Sequence, residues 1–302
     1  MFPGIKELLE EIGLEADYIP NIHPEEVIEK IVDYQGLILR SKMKIDISFL
    51  EKGSQLRFIA RAGAGVDQID EAYLQKRNIQ LFNAPEGNRD AVGEHALGML
   101  LALFNKLHLA DAEVRKKIWK REANRGLEIK GKTVGIIGYG NMGKAFSKRL
   151  SGFDCNTIAY DINPRVTSDE YAEVVDLKSI FENADVLSLH TPLTPLSKNM
   201  VDKAFLDSFK KPFYLVNTAR GPVASFASLR YGIESGILLG ACLDVLENEK
   251  LQTLTEAQTI DFDFLAAQPN VLFSPHVGGW THESYKRINE VLVAKIKTAY
   301  FS

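Results

Sequence analysis

Short apolar runs rich in β-branched residues alternate with longer amphipathic stretches from one end of the chain to the other. The strand-like runs are GLILR (36–40), LRFIARAG (56–63), IQLFNAP (79–85), TVGIIG (133–138), TIAYD (157–161), DVLSLH (185–190), FYLVNTA (213–219), GACLDV (240–245) and NVLFSPH (270–276). The intervals between most of them leave room for a helix, which is the pattern of a parallel α/β sheet. Several runs are apolar throughout, as expected of strands covered on both faces.

One stretch, AVGEHALGMLLALFNKLHL (91–109), is apolar around much of a helical circumference, which predicts a helix buried in a core or between two subunits. It follows NAPEGNRD, a group of turn and cap residues suited to a domain boundary. A second boundary is expected near SPHVGGW (274–280), where Pro and two Gly precede a final helix at 281–299. These boundaries predict a substrate-binding domain of residues 1–88 plus 276–302, and a contiguous dinucleotide-binding domain of residues 89–275. The active site is expected in the cleft between them.

The length of 302 residues agrees with two domains, and 45% hydrophobic with 25% charged residues is an ordinary globular composition. A formal charge of -4 gives no global field for gathering nucleic acid or an anionic membrane. No run approaches the roughly 18 to 20 apolar residues that span a bilayer, and MFPGIKELLEEIG lacks the layout of a signal peptide. Cys155 and Cys242 are the two cysteines, too few for a disulfide framework and without metal-ligand spacing. A soluble cytoplasmic protein with no bound metal is the expectation. The basic run around Trp119 (Arg115, Lys116, Lys117, Lys120, Arg121, Arg125) reads as a solvated helix face.

Candidate chemistry begins at Gly138-Tyr-Gly140-Asn-Met-Gly143, a GxGxxG that follows the strand TVGII and opens the helix NMGKAFSKRL. In that context Gly138 permits the tight turn, Gly140 lets a pyrophosphate approach the backbone, and Gly143 lets helix and strand pack closely. The helix N-terminus then offers N–H groups and the positive end of a dipole to the phosphates. Asp161 ends the strand TIAYD, 23 residues after Gly138, where a carboxylate accepts the adenosine ribose hydroxyls and repels a 2′-phosphate. NAD is therefore the expected cofactor, with Arg165, four residues on, as the feature that would favour NADP.

The later strands end in His190-Thr191-Pro192, Thr218-Ala219-Arg220-Gly221, Asp244 and Ser274-Pro275-His276. An Arg, a His and several acids thus collect where a nicotinamide and substrate would meet, which suits hydride exchange with a 2-hydroxy or 2-oxo acid. Arg grips a carboxylate bidentately, His is the natural proton partner near neutral pH, and an adjacent acid orients the imidazole. Spacing alone leaves Asp244, Glu247 and Glu249 all open as that acid. His95, beside Glu94, reads as a helix-packing residue, and His108 as solvated or interfacial.

Taken together, RAGAGVDQID (61–70), GIIGYGNMG (135–143), HTPLTPLSKNMV (190–201), VNTARG (216–221), ACLDVLENE (241–249) and SPHVGGWT (274–281) resemble, in order and spacing, the motifs of the D-isomer-specific 2-hydroxyacid dehydrogenase family. The resemblance covers nearly the whole chain and implies two Rossmann-like, doubly wound parallel-sheet domains of the α/β class. It also implies Arg220, Glu249 and His276 as the catalytic set, and a nicotinamide contact for Asp244. The cofactor would be held by Gly138, Gly140, Asn141, Met142, Gly143, Asp161, His190, Thr191, Pro192, Thr218, Ala219, Asp244 and Gly278. Within the family, GLILRSKMKID (36–46) and the blocks at 119–121 and 126–131 most resemble the phosphoglycerate dehydrogenases. That similarity implies substrate contacts from Arg40, Arg61, Ala62, Gly63 and Arg220, with Arg121 reaching across from the partner of a homodimer, and a place in serine biosynthesis.

The chain departs from the family pattern where Lys250, in place of a proline, follows Glu249, and where 250–268 forms a longer and more polar loop. No added regulatory domain is expected after the final helix, and serine feedback by that route is not expected either. Other substrates open to this family are glyoxylate, hydroxypyruvate and D-lactate. A different class of outcome is an NAD-binding regulatory or scaffold protein of the same fold.

Overall fold

Each of the apolar runs overlaps a parallel strand in the computed structural model, which describes residues 2–301. The chain forms two compact units, Met1–Arg89 with Trp280–Ser302, and Asp90–Gly279.

In the first unit β1 (Gly36–Leu39), β2 (Phe58–Arg61) and β3 (Gln80–Asn83) lie side by side in that order, all parallel. Alternation along β2 sends its side chains to two cores. Phe58 and Ala60 face α1 (Ile5–Glu10) and the C-terminal helix, which contributes Ile288, Leu292, Val293 and Ile296. Ile59 faces the opposite way, toward a core that includes Ile31, Phe49 from α3 (Ile47–Lys52) and Leu74 from α4 (Glu71–Lys76), with Val27 of α2 (Pro24–Lys30) packed against it. Short helices start cleanly because Asp46 and Asp70 each accept a backbone N–H from the first turn that follows.

The helix expected at 91–109 is instead α5 (Pro85–Phe104) followed by α6 (Leu107–Arg115). Proline suits the first turn of a helix because its φ is already helical and its missing N–H is not needed there. Residues 85–90, read from sequence as boundary loop, are therefore helical. At the other end Lys106 takes a left-handed φ of 52° and breaks the run. Val92, Ala96, Met99, Leu100 and Leu103 form the buried stripe of α5.

The second unit holds β4 (Thr133–Ile137), β5 (Asn156–Tyr160), β6 (Glu173–Val174), β7 (Val186–Leu189), β8 (Phe213–Asn217), β9 (Leu238–Leu243) and β10 (Val271–Phe273). Their spatial order is β10-β9-β8-β7-β4-β5-β6, all parallel. Order runs outward in both directions from β4, so the β4–β7 pair is a topological switch point, where ligands of open α/β sheets bind. Leu187, Leu189, Leu215, Ala241 and Leu243 enter one core. Val134, Ile136, Val186, Val216 and Cys242 enter the other, against α5 and α7 (Asn141–Leu150). The helices α8 (Leu177–Asn183), α9 (Lys203–Asp207) and α10 (Phe226–Glu234) complete the cover. β6, with two residues, is too short to leave a periodic signal and was not expected.

Residues 250–268 are not a loop. After one 3-10 turn they form α11 (Glu256–Ala266), started by a reciprocal cap between Thr255 and Gln258 and anchored by buried Leu265. The last helix, α12 (His282–Tyr300), begins at Thr281, whose hydroxyl accepts the Ser284 N–H. Among the described residues no helix is long and apolar enough to cross a membrane.

Candidate active site

The three glycines that follow β4 divide the work of the turn. Gly138 has φ +93°, and a Cβ there would lie 2.8 Å from the backbone of His190, at the end of the neighbouring strand β7. Gly143 packs still closer, since a Cβ would meet the Gly138 carbonyl oxygen at 2.2 Å. Gly140 differs from both, with nothing within 4 Å of the position a Cβ would take. Two glycines therefore close the turn and the third leaves its outer face open, ahead of Asn141 and Met142 at the start of α7. Asp161 braces the turn from the end of β5, accepting the Tyr139 N–H at 2.7 Å and the Asn163 N–H at 2.8 Å. A carboxylate has acceptor capacity beyond two bonds, so ribose hydroxyls remain within its means.

Buried polar atoms without a partner are rare because leaving one unpaired costs about 1–3 kcal/mol. Three of them cluster at the ends of β7 and β8: His190 Nδ1, Thr191 Oγ1 and Thr218 Oγ1. Burial pushes the His190 imidazole down to about 3, so the ring is neutral, with Nε2 2.9 Å from Ser188 Oγ. His190 is thus a hydrogen-bonding group and no proton donor. An open glycine face, a helix N-terminus, a ribose-sized acid and orphaned donors beside the switch point fit a dinucleotide.

The acid left open by spacing is resolved by position. Glu247 turns away, its Oε2 accepting the Phe226 N–H at 2.8 Å at the start of α10 and its Oε1 the Gln258 side chain at 3.2 Å. Asp244 is 2% exposed and holds the loop after β10. Its Oδ1 accepts Ser274 Oγ–H at 2.6 Å and Val277 N–H at 2.9 Å, and its Oδ2 accepts Gly278 N–H at 2.9 Å. Burial alone would raise this carboxyl, but these bonds and His95 outweigh it and bring it to about 2. Asp244 therefore positions the loop after β10, and the nicotinamide contact expected of it stays a proposal. Gly278, expected at the cofactor, packs closely in this loop: a Cβ there would sit 2.9 Å from Asp244 Oδ2.

Glu249 is the acid that reaches the His276 ring. Its Oε1 lies 2.8 Å from His276 Nδ1, both side chains 47% exposed. The Glu249 bond raises the His276 pKa above its ordinary value, while burial and the nearby Arg220 charge oppose the rise. Nδ1–H pointing at Glu249 leaves Nε2 as the nitrogen that can exchange a proton. His276 itself has a left-handed φ of 55°, a costly conformation for a side chain of this size. Its N–H donates to the Asp244 carbonyl at 2.7 Å, which helps hold it there. These bonds also place residues 276–279, read from sequence as part of the first domain, in the second unit.

Arg220 follows β8, its Nη1 donating to the Ala219 carbonyl at 2.7 Å. Buried Asn217 shapes this loop by accepting the Ala219 N–H at 3.1 Å and donating to the Arg220 carbonyl at 3.3 Å. Gly221 lets the loop close, because a Cβ would lie 1.7 Å from the Leu246 carbonyl oxygen. Sequence reasoning gave Asn217 no role of its own and read His95 as a helix-packing residue, because the contacts each makes are with loop groups that periodicity does not reveal.

The substrate residues expected of the first unit stand at strand ends. The Arg40 guanidinium lies 3.9 Å over the Trp280 ring and 5.2 Å from Tyr285, and burial lowers its pKa. Arg61 folds over Gly63, whose φ of +149° and missing Cβ make the space. The Ala62 N–H donates to Leu39 at 2.7 Å. Arg121 lies in the exposed segment after α6, next to Trp119, which is 83% exposed.

Residues 97–278 match the family model described as D-isomer specific 2-hydroxyacid dehydrogenase, NAD binding domain. A hydroxypyruvate reductase of Thermotoga maritima is 33% identical over 276 residues, covering 91% of this chain and 88% of that protein. A D-3-phosphoglycerate dehydrogenase of Archaeoglobus fulgidus is 31% identical over 288 residues, covering 94% of this chain and 53% of its own length. The chain spans about half the length of the curated phosphoglycerate dehydrogenases of this kind that it matches. Among solved structures, a D-lactate dehydrogenase of Aquifex aeolicus complexed with NAD and lactic acid superimposes with a TM-score of 0.85 at 25% identity, covering 99% of this chain and 92% of that one.

Proposed function

Because the chain belongs to the D-isomer specific 2-hydroxyacid dehydrogenase family, we propose that it interconverts a D-2-hydroxy acid and its 2-oxo acid. The observation that carries this reading is the 2.8 Å pair between His276 Nδ1 and Glu249 Oε1, with the Arg220 charge beside it. When bound, NAD supplies the hydride acceptor, and NADH the donor. In reduction, His276 Nε2 gives its proton to the carbonyl oxygen as that oxygen gains charge, and Glu249 stabilises the imidazolium beforehand. Arg220 holds the substrate carboxylate and polarises the carbonyl. Oxidation reverses each step, with neutral His276 taking the hydroxyl proton. Acid–base help of this kind is worth on the order of 100- to 10,000-fold.

For the substrate we propose 3-phosphohydroxypyruvate and D-3-phosphoglycerate, the chemistry of serine biosynthesis. A phosphate adds up to two negative charges, and Arg220 is committed to the carboxylate, so Arg40, Arg61 and Arg121 are the cations that would meet it. Unphosphorylated hydroxypyruvate is the second reading, favoured by the reductase relative that matches over 88% of its own length. We further propose a homodimer in which a second copy covers the exposed apolar side chains of Leu107, Val114 and Trp119. Sedimentation at micromolar protein would show a species of twice the chain mass, and a monomer would oppose it.

The test is NADH oxidation with 3-phosphohydroxypyruvate, hydroxypyruvate, glyoxylate and pyruvate. The highest kcat/KM on the phosphorylated acid supports the first reading, and on hydroxypyruvate the second. Tight NADH binding with no turnover on any of them would instead favour a regulatory protein.

A further inference from the structure

We propose that His95 is a positioning residue, clamping from α5 the Ser274–Asp244 pair that folds the His276 loop. This inference rests on the reading that His276 moves the proton.

His95 Nε2 lies 2.9 Å from Ser274 Oγ and 3.3 Å from Asp244 Oδ1. The Ser274 hydroxyl hydrogen is directed to Asp244 Oδ1 at 2.6 Å. An N–H on His95 Nε2 therefore meets an oxygen at both positions, which selects the tautomer that donates. One helical turn on, Met99 Sδ sits 3.4 Å from the same hydroxyl, so α5 presents two side chains to Ser274. His95 also closes the packing around the loop. A Cβ on Gly278 would stand 2.9 Å from Asp244 Oδ2 and 3.3 Å from His95 Cδ2.

What the clamp holds is a strained residue. The left-handed backbone of His276 is kept by its N–H bond to the Asp244 carbonyl, with the next two N–H groups on the Asp244 carboxylate. If Asp244 shifts, these bonds loosen together. The His276 backbone can then relax toward its commoner conformations and carry the imidazole away from Glu249. His95 touches none of the reacting atoms in this scheme; it acts through Asp244. The charged groups around the His276 ring are Glu249, Asp244 and Arg220, and of these Glu249 does most to hold its pKa up.

The experiment compares His95→Ala and His95→Gln by proton NMR titration of the His276 ring, assigned by its loss in His276→Gln, and by steady-state kinetics. In His95→Ala the His276 pKa should fall toward that of a free imidazole. Reductive kcat should drop on the order of 10- to 100-fold, as expected of a misplaced reacting group, with NADH affinity nearly unchanged. His95→Gln, whose amide N–H still reaches Ser274, should recover both. Wild-type titration of His276 in His95→Ala would overturn the proposal, as would equal shifts in the Ala and Gln variants, which would mark simple packing. Should His95→Ala not fold, Ser274→Ala breaks the same link and must lower the His276 pKa. A wild-type protein inactive on every 2-oxo acid would count against the reaction, while the titration would still decide the clamp.

Discussion

His276 Nδ1 and Glu249 Oε1 stand 2.8 Å apart at the ends of two different loops, one following β9 and the other following β10. The bond fixes which imidazole nitrogen faces outward and raises the pKa of the ring above its ordinary 6.5. A histidine raised in this way contributes stability in full below the unfolded pKa and loses it as pH rises through the folded value. Glu249→Gln keeps an acceptor for Nδ1–H but removes the charge. The basic limb of reductive kcat/KM, which follows loss of protonated His276, should therefore move to lower pH. At pH 8 reduction should weaken on the order of 10-fold, whereas oxidation, which needs neutral His276, should reach its plateau at lower pH. An unchanged pair of profiles would remove Glu249 from the mechanism.

How much of this arrangement was legible in sequence differs by residue. Gly138, Gly140 and Gly143 were readable because strand, turn and helix stand in series, and a local motif carries its own geometry. Nine strands were readable because short apolar runs recur at intervals that leave room for helices, and several, such as β7, are largely apolar because both faces are buried. The acid partner of His276 was not readable from spacing, because Asp244, Glu247 and Glu249 all follow β9 within five residues of one another. Their division of labour depends on contacts with β10, α10 and α11, which are distant in sequence. The loop contacts of Asp244 were hidden for the same reason, since its Ser274, Val277 and Gly278 donors lie thirty or more residues on. The break at Lys106 was hidden because a left-handed residue other than Gly or Asn leaves no compositional mark.

Gly221 offers a purely steric test. A Cβ at this position would fall 1.7 Å from the Leu246 carbonyl oxygen, a backbone atom that has no rotamer to yield. Gly221→Ala should lower stability by about 1–3 kcal/mol, read as a reduced urea midpoint. Arg220 precedes it, so turnover should fall as well. A variant with the wild-type midpoint would show that the Arg220 loop is not packed as described.

Cofactor preference should follow Asp161. Its carboxylate braces Tyr139 and Asn163 and would repel a 2′-phosphate. Wild-type kcat/KM should favour NADH over NADPH, and Asp161→Ser should narrow the ratio chiefly by weakening NADH. Use of NADPH at least as well as NADH by the wild type would turn attention to Arg165.

Arg40 is held in place by Trp280 at 3.9 Å, so its guanidinium is preorganised even before a ligand arrives. Arg40→Ala should raise the KM for 3-phosphohydroxypyruvate on the order of 10-fold while leaving hydroxypyruvate nearly unaffected, because only binding remote from the reacting carbon is lost. Equal losses on both acids would assign Arg40 a structural role.

The most direct measurement sets NADH binding beside turnover in His276→Ala. The residues proposed to hold the dinucleotide stand at the ends of β4, β5, β7 and β8 and on α7, while the proposed proton donor is His276, so the two functions should separate. NADH should bind the variant about as tightly as the wild type, and reduction of the preferred 2-oxo acid should fall on the order of 100- to 10,000-fold. Near-normal turnover from pH 6 to 9 with NADH still bound would contradict the account.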